Sequence, residues 1–417
     1  MASLKVIMPF KSINMALENN TTNHALINIT DKIRDALDKN LLAVGVFIDF
    51  QKAFDTVNHD ILTKKLENYG IRGCINNWFQ SYLNNRKQYV SINGFDSNEM
   101  DIEHGVPQGS VLGPLLFLLY INDLHLTIQN CLTYHFADET NLLRIGKQAK
   151  KIQKQINLDL KRLVSWLLAN KISLNKTKTE LIIFRKPRDK IPELKIKLNG
   201  HKLIPTSSIK YLGIILDDTL NGDSHCVQLL PKIERANAML TKVRHFVPIN
   251  KLLSVYYAIL ASHLFYGCQI WGLNNNRALF KKVFNQQKRA MWILTSSRYT
   301  DPSEPLFKSL NVLKLTDYIS VLNCLFVHDY FHHKLPTSFD NYFTLCSDLR
   351  DIDDGRRAGF LFVPHTYSIK YGTNSFKLTA IHTWNQLSST LDTNLLSISK
   401  AQLKKLLTNH FLNSYSS

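Results

Sequence analysis

The spacing of apolar positions along this chain predicts a buried strand, an acidic hairpin and a long series of helices. Residues 43–48 form a nearly continuous apolar run of strand length, which is typical of a strand buried on both faces. Residues 134–136 and 142–145 favour two further strands, with Asp138 and Glu139 at the turn between them. The predicted hairpin therefore carries two adjacent acids at its tip.

Apolar residues that recur every three or four positions predict the helices. A stripe with a four-residue period between Ala25 and Leu37 predicts the first helix, with Thr22 or Asn23 as its N-cap. Apolar patterns and their flanking residues predict further helices at 58–69, 73–84, 111–124, 147–170, 227–247, 250–266, 276–295, 316–333, 376–387 and 396–412. A charged stretch at 217–224 marks a boundary between the mixed part of the chain and the helical part.

Shorter strands are predicted between the helices. Residues 86–94 form a strand that runs into an Asn-Gly turn, and residues 181–184 form another. Two more, at 194–198 and 209–216, are expected around a turn at Asn199 and Gly200.

The composition of the chain indicates what kind of molecule it binds. The chain has 417 residues, enough for two or three domains, and its 45% hydrophobic and 20% charged residues are those of a globular protein. Its formal net charge of +18 favours a polyanionic partner through counterion release. No apolar run reaches the ~18 residues that span a bilayer, so no membrane partner is expected.

The cysteines and the N-terminus predict a compartment. Six cysteines occur without a CxxC pair or zinc-ligand spacing, which is typical of reduced, individually placed thiols. Residues 1–20 have a short apolar patch but lack the build of a signal peptide. We therefore expect a cytoplasmic or nuclear protein that is not secreted.

The acids carry the candidate chemistry. Two adjacent carboxylates on a tight turn repel each other unless a positive group neutralises them, and Mg²⁺ prefers carboxylate oxygen, although a solvated acidic turn is the ordinary alternative. Asp49 ends the buried strand, where an acid is costly unless it is paired or binds metal. If strand and hairpin are neighbours in one sheet, Asp49 and Asp138 can share two ions about 3.5–4 Å apart, an arrangement that suits phosphoryl transfer.

A glycine-rich turn precedes the helix at 111–124. Gly105, Gly109 and Gly113 let backbone approach a ligand closely, and Gln108 supplies an amide for a template base or nucleotide. Ser110 is a candidate cap for the helix. Taken alone, this segment is an ordinary connection between a strand and a helix.

Five short motifs follow one another in a specific order. They are FIDFQKAFDTV at 47–57, GVPQGSVLGPLLF at 105–117, FADE at 136–139, LNKTKT at 174–179 and YLG at 211–213. In this order and spacing, the chain resembles the reverse transcriptases of non-LTR (LINE-type, jockey-like) retrotransposons. The likeness runs from about residue 24 into the early thumb, and more loosely to the C-terminus.

The resemblance implies an α+β fold. We expect a polymerase palm, a mixed and mostly antiparallel sheet backed by helices, with partial fingers and a helical thumb and C-terminal region. The corresponding domains are an unmatched segment at 1–20, a reverse transcriptase domain at 21–217, a helical thumb at 218–300 and a mainly helical region at 301–417. With its upstream fingers missing, the chain is expected to be N-terminally truncated.

The resemblance also implies the catalytic groups. Asp49 and Asp138 would hold two Mg²⁺ ions, for which Mn²⁺ is a substitute, and Glu139 would assist as a third metal ligand. Lys178 aligns best with the lysine that protonates the pyrophosphate leaving group, and Lys176 is the competing choice. The partners would be an RNA template, a DNA primer or duplex, and dNTPs.

Further residues are implied to bind the substrates. The nucleotide and template would contact Phe50, Phe54, Gln108 and Gly109. For Phe54, which the family places beneath the sugar, core packing is the alternative. The primer terminus would rest on Tyr211, Leu212 and Gly213. From the sequence itself, Arg86 and Lys87 are candidate phosphate contacts, and a solvated basic loop is the equal alternative.

Glu139 departs from the family pattern, which has a second aspartate there. The charge is kept, but the side chain is one methylene longer, and Mg²⁺ tolerates poor geometry badly. We therefore expect a sharply reduced or absent polymerase, as in a decaying retroelement copy. The alternatives are a catalytically inactive nucleic-acid-binding remnant and a product that folds poorly without its fingers.

Overall fold

The structure is a computed structural model that describes residues 21–273, 277–349, 359–365, 371–372, 374–391 and 393–416. Its α-helices are α1 (Thr22–Asp38), α2 (His59–Asn68), α3 (Cys74–Leu83), α4 (Leu112–Ile121), α5 (Ala149–Ala169), α6 (Asp223–Val243), α7 (Ile249–Tyr256), α8 (Ser262–Phe265), α9 (Cys268–Trp271), α10 (Ala278–Thr295), α11 (Ser303–Ser309), α12 (Leu315–Phe331), α13 (Phe376–Leu391) and α14 (Lys400–Ser414). Its strands are β1 (Leu42–Ile48), β2 (Lys87–Gln88), β3 (Ser91–Ile92), β4 (Phe95–Asp96), β5 (Met100–Asp101), β6 (Leu132–Phe136), β7 (Glu139–Gly146), β8 (Glu180–Phe184), β9 (Lys197–Leu198), β10 (His201–Lys202), β11 (Pro205–Thr206), β12 (Ser208–Tyr211) and β13 (Ile214–Asp217).

The described chain divides into two compact units. The first contains residues 21–25 and 42–206, and the second contains residues 26–41 and 207–416. The division after residue 206 lies before the expected domain boundary at 217. The second unit also includes most of α1, which we had assigned with the palm. The functional names palm and thumb stay predictions for these units.

A five-stranded sheet organises the first unit. Its order is β11-β8-β1-β7-β6, and β1 lies at the centre with β7 and β8 antiparallel on either side. The short strand β11 runs parallel to β8. The mixed, mostly antiparallel sheet that was expected is therefore confirmed, and so is the α+β fold class.

One face of the central strand builds the main core of this unit. Val44, Val46 and Ile48 project to the same side, because side chains alternate along a strand, and all three belong to one buried apolar cluster. Helices α2, α4 and α5 contribute the opposing apolar side chains of that cluster. The predicted burial of this strand is confirmed, since every residue from 43 to 48 is buried.

Two of the strand predictions were only partly right. The strand at 194–198 is shortened to β9, and its partner across the turn at Asn199 and Gly200 is β10, not residues 209–216. Residues 209–216 instead fold back on themselves as the hairpin β12–β13. The hairpin turns at Leu212 and Gly213, which both have positive φ angles. A leucine in that conformation is uncommon, so the sequence does not mark the turn.

The second unit is mainly helical, as predicted. Helices α6, α7 with α8, α10, α12, α13 and α14 cover the predicted ranges, and α9 and α11 are additional short helices. The N-cap prediction for α1 was wrong by one or two residues. Thr21 precedes the helix, and its side-chain oxygen accepts a hydrogen bond from the backbone N–H of His24 at 3.3 Å.

A buried aspartate joins the start of the chain to its C-terminal part within the second unit. Asp31 of α1 accepts hydrogen bonds from the backbone N–H groups of Phe376 and Lys377, both at 2.8 Å, and from the hydroxyl of Tyr342. The Asp31 carboxyl thereby satisfies the N-terminus of α13, which has free N–H groups like any helix start. None of the helices within the described ranges is long and apolar enough to cross a membrane.

Candidate active site

The register of the central sheet brings the predicted acids to one edge. Strand β1 ends at Ile48, which pairs with Thr140 of β7. Strands β6 and β7 are joined by the two-residue turn Ala137–Asp138, and Phe136 pairs with Glu139. Asp49 lies one residue past the last β1 pair, so the register places it next to Glu139. The three carboxylates, each half-buried, therefore lie where β1 and the hairpin turn meet.

The turn itself has an unusual backbone. Ala137 has a φ angle of +52°, in the region that favours glycine. A two-residue hairpin needs a positive φ at its first central residue, and alanine pays a steric cost of about 1–2 kcal/mol there. The acidic tip is thus held in a defined, strained conformation by the strands on either side.

A buried histidine lies on the opposite side of the same strand pair. His135 and Thr140 pair across β6 and β7, and the His135 Nδ1 atom is 3.1 Å from the Thr140 hydroxyl oxygen. Burial lowers the pKa of His135 to about 3, so the ring is neutral. Because side chains alternate along strands, Glu139 projects to the other face. The sequence indicated His135 only as a strand residue and did not predict this contact.

The donor set of the acidic edge fits a hard cation only in part. Mg²⁺ prefers carboxylate oxygens as ligands, and the side chains of Asp49, Asp138 and Glu139 are all carboxylates. Within the described ranges, however, no three His, Cys, Asp or Glu side chains form a group that could hold an ion. Mg²⁺ usually takes one or two carboxylates and completes its shell with phosphate and water. An Mg²⁺ ion held by one or two of these carboxylates would therefore need further oxygen ligands from outside the chain.

A lysine-bearing loop is tied to the backbone of Asp49. The Asn175 N–H donates to the carbonyl oxygen of Asp49 at 2.9 Å, and the Gln51 N–H donates to the carbonyl oxygen of Ser173 at 2.8 Å. The loop then continues to Lys178, whose N–H donates to the Asn175 side chain at 3.3 Å. Lys176 and Lys178 are both exposed, so both are accessible in this loop.

The two predicted nucleotide-contacting phenylalanines differ. Phe50 is only 4% exposed and its ring belongs to the core cluster, so a nucleotide could contact only its backbone, and its role stays a prediction. Phe54 is half-buried, and its ring centroid lies 4.5 Å from that of Phe117. Core packing thus accounts for part of the Phe54 ring and leaves the rest accessible.

The glycine-rich turn packs against the segment that follows Asp49. A Cβ at Gly105 would lie 2.9 Å from the Cα of Asp55, and a Cβ at Gly113 would lie 2.4 Å from the carbonyl oxygen of Pro107. These two glycines allow protein backbone to approach protein backbone, whereas we had expected close approach to a ligand. Only Gly109, which is exposed, has open space around its Cβ position.

Two polar side chains fix this turn. Gln108 donates to the Asp55 carboxylate at 2.8 Å, and both residues are exposed. The Ser110 hydroxyl accepts from the Gly113 N–H at 2.9 Å, which confirms its capping role. The Asp55 carboxylate therefore has an amide partner in this turn.

The predicted primer-contacting segment lies in the second unit. Tyr211 and Leu212 are 1% and 8% exposed, and Gly213 is exposed. The hydroxyl of Tyr266 donates to the carbonyl oxygen of Leu212 at 2.7 Å, and its ring lies 3.1 Å from the Cβ position of Gly213. The backbone at the tip of β12–β13 is thus held by an aromatic side chain that the sequence did not indicate.

The fold and the acidic edge together define a class of protein. A mixed sheet whose central strand is followed directly by an aspartate, beside a hairpin with two acids, agrees with the polymerase palm that the sequence motifs predict. Residues 2–216 match the family described as reverse transcriptase (RNA-dependent DNA polymerase), and the chain belongs to that family. The match includes residues 2–20, so our expectation that the likeness begins after residue 20 was too narrow.

Curated proteins with similar sequences show which members of the reverse transcriptase family this chain resembles. The chain is 29% identical over 293 residues to the RNA-directed DNA polymerase from mobile element jockey of Drosophila melanogaster, covering 65% of this chain and 31% of that protein. It is 28% identical to the probable RNA-directed DNA polymerase from transposon BS of the same species, covering 73% and 34%. The chain thus spans about a third of these curated relatives, and the jockey-like resemblance is confirmed.

Among solved structures, the chain is similar to apo telomerase from Candida tropicalis. The TM-score is 0.39 and the sequence identity is 12%, with 73% of this chain and 50% of that chain covered.

Proposed function

We propose that this chain catalyses RNA-directed DNA synthesis, the transfer of a nucleotide from a dNTP to the 3′-hydroxyl of a DNA primer on an RNA template. The observation that carries the proposal is the register between β1 and the hairpin. It brings Asp49 to the edge that also carries Asp138 and Glu139. Membership of the reverse transcriptase family and the net charge of +18 support the same substrates.

The reaction makes one bond to phosphorus and breaks one. The primer 3′-hydroxyl loses its proton to water, and its oxygen attacks the α-phosphorus of the dNTP and forms a new phosphodiester, while the bond from that phosphorus to the bridging oxygen breaks and pyrophosphate leaves. Asp49 and Asp138 would hold two Mg²⁺ ions, with assistance from Glu139. Bound there, the metal supplies charge stabilisation for the attacking and leaving oxygens.

The remaining groups act by position. Lys178, on the loop tied to the Asp49 carbonyl, would deliver a proton to the departing pyrophosphate. The accessible part of Phe54 would contact the sugar of the nucleotide, and Gln108 with Gly109 would face the base or template. Tyr211, Leu212 and Gly213 would support the primer end through their backbone, because the first two side chains are buried.

Glu139 is the reason to expect slow synthesis. Its backbone is fixed as the first residue of β7, so the longer side chain must shift its carboxylate away from the place an aspartate would occupy. A displacement of about 1 Å in a catalytic group costs on the order of 10²-fold in rate.

The test is primer extension on an RNA template with Mg²⁺ and, separately, with Mn²⁺. We expect Glu139→Asp to raise the rate strongly and Asp138→Ala to abolish it. Asp189→Ala removes an exposed acid from the loop after β8 and is the matched control, which should extend at the natural rate. If Glu139→Asp is folded and still binds the primer–template but synthesises no DNA, the polymerase proposal is contradicted.

A second candidate function is nucleic-acid binding without turnover. It is favoured by one observation, the formal net charge of +18, which attracts a polyanion whether or not synthesis follows. This function predicts tight retention of primer–template by the natural sequence and by Asp138→Ala alike, with no extension by either or by Glu139→Asp.

A further inference from the structure

Helix α3 carries an aromatic column on the surface of the first unit. The rings of Trp78 and Tyr82, one helical turn apart, are stacked with an interplanar angle of 10° and centroids 5.6 Å apart. The guanidinium carbon of Arg86 lies 5.5 Å from the centroid of Tyr82 and extends the column. We call Trp78, Tyr82 and Arg86 the α3 column.

Tyr82 and Arg86 are half-buried, and the exposed end of the column is Trp78. Trp78 keeps 53% of its surface exposed, whereas Trp166, Trp271 and Trp384 are 8%, 2% and 1% exposed. Trp292, the fifth tryptophan, is half-buried. A helix gains only a few tenths of a kcal/mol from an aromatic pair spaced four residues apart. That gain is small beside the apolar surface that Trp78 leaves in water, so helix stability does not account for the column.

The charge around the column suits a polyanion. The 28 residues from 68 to 95 contain Arg72, Arg86 and Lys87 but no Asp or Glu. Lys87 is paired with Glu99 at 3.1 Å, so Arg86 is the cation that stands next to the rings. Amide side chains are frequent in the same stretch and add uncharged hydrogen-bonding groups to this surface.

We propose that the α3 column is a stacking platform for a single-stranded nucleic acid. The bases of a single strand expose their faces, and stacking on Trp and Tyr with a guanidinium nearby is the usual way proteins hold such strands. In a duplex those faces are stacked on neighbouring bases, so a duplex could interact only with the positive charge of Arg86. The choice of ligand rests on the proposed function, in which an unpaired template strand must reach the enzyme.

The column offers its own optical probe. Base stacking on Trp78 quenches its fluorescence, and the more deeply buried tryptophans report little of it. We would titrate the protein with single-stranded oligouridylate of about 12 nucleotides, with oligothymidylate of the same length and with a blunt duplex. The expected result is saturable quenching by both single strands and much weaker quenching by the duplex. The tighter of the two single strands identifies the source as RNA or DNA.

Variants separate stacking from charge. Trp78→Leu should lose the quenching and bind a labelled single strand about 5- to 150-fold more weakly, and Trp78→Phe should keep most of the affinity. Arg86→Gln should reduce the salt slope of binding by about 1. Ile75→Ala, which truncates another exposed apolar side chain of α3, is the matched control and should bind normally.

The outcome is distinct from that of the extension assay. If Trp78→Leu binds the single strand as tightly as the natural protein, or if duplex quenches as well as single strand, the platform is refuted even when extension is robust. If no variant extends a primer but quenching depends on Trp78, the platform stands and the polymerase proposal falls. Circular dichroism of each variant establishes that the protein is folded.

Discussion

Asn175 donates its backbone N–H to the carbonyl oxygen of Asp49, with a nitrogen–oxygen distance of 2.9 Å. This hydrogen bond fixes the loop of Lys178 to the residue that ends the central strand. A proton donor for the leaving group must be positioned as closely as the metal ligands are. The contact therefore ties the two proposed catalytic elements together through main chain alone.

The first prediction separates the two lysines of this loop. In a Glu139→Asp background, we expect Lys178→Ala to slow single-nucleotide addition about 10²-fold, because a general acid contributes at least that much. Lys176→Ala should have a much smaller effect, and Lys190→Ala, an exposed lysine in the next loop, should have none. Rapid-quench extension across a range of pH measures the rates. A larger loss from Lys176→Ala would assign the role to that residue instead.

The second prediction concerns Gly113 at the start of α4. A Cβ there would meet the carbonyl oxygen of Pro107 at 2.4 Å, so Gly113→Ala should lower the free energy of unfolding by about 1–3 kcal/mol through overpacking. Gly146→Ala is the control, since its Cβ would lie 3.4 Å from Ile152, an ordinary contact. Urea denaturation measures both. Equal stability of the two variants would contradict the close approach at Pro107.

The third prediction is a pH dependence in the second unit. His225 accepts a hydrogen bond from the Ile215 N–H at 3.3 Å, and burial lowers the pKa of its ring to about 4. The unfolded chain, with a histidine pKa of about 6.5, binds the proton first as the pH falls. The contribution of neutral His225 to the free energy of unfolding is therefore fully present above about pH 6.5 and is lost as the pH falls towards 4.

The measurement is urea denaturation at about pH 7 and about pH 5. The natural protein should lose about 2 kcal/mol of unfolding free energy from His225 between the two conditions. In His225→Asn, an amide oxygen replaces the imidazole acceptor, so that part of the loss should disappear. His201→Asn, at an exposed histidine, is the control. An unchanged pH dependence in His225→Asn would show that other groups cause it.

The fourth prediction concerns the buried aspartate of α1. Asp31→Ala leaves the first N–H groups of α13 without their acceptor, which should cost about 3 kcal/mol. Asp35→Ala removes an exposed acid of the same helix that pairs with Lys39, and such pairs contribute about 0–1 kcal/mol. Hydrogen exchange should show faster exchange at the start of α13 in Asp31→Ala only. Protection of α13 in that variant would contradict the capping role.

The sequence was sufficient for features with local causes. An apolar run and a pair of short strands around an acidic turn predicted β1, β6 and β7, and the helical stripes predicted most helices. The sequence did not predict the contacts between segments that are far apart along the chain. Nothing local marks the hydrogen bond from Asn175 to Asp49, the Tyr266 contact that holds Leu212, or the turn at Leu212 itself. The burial of the Phe50 ring was also beyond the sequence, because motif position does not show which way a ring points.

The Asp31 contact also has a consequence for how the chain is made. Asp31 and Phe376 are 345 residues apart in sequence. At about 5–20 residues per second, a ribosome needs roughly 20–70 s to synthesise that interval. During this time α1 has left the ribosome, but its partner helix does not yet exist. The second unit therefore completes its fold only after the start of α13 has emerged, so the contact that Asp31 makes with this helix forms long after α1 itself has been synthesised.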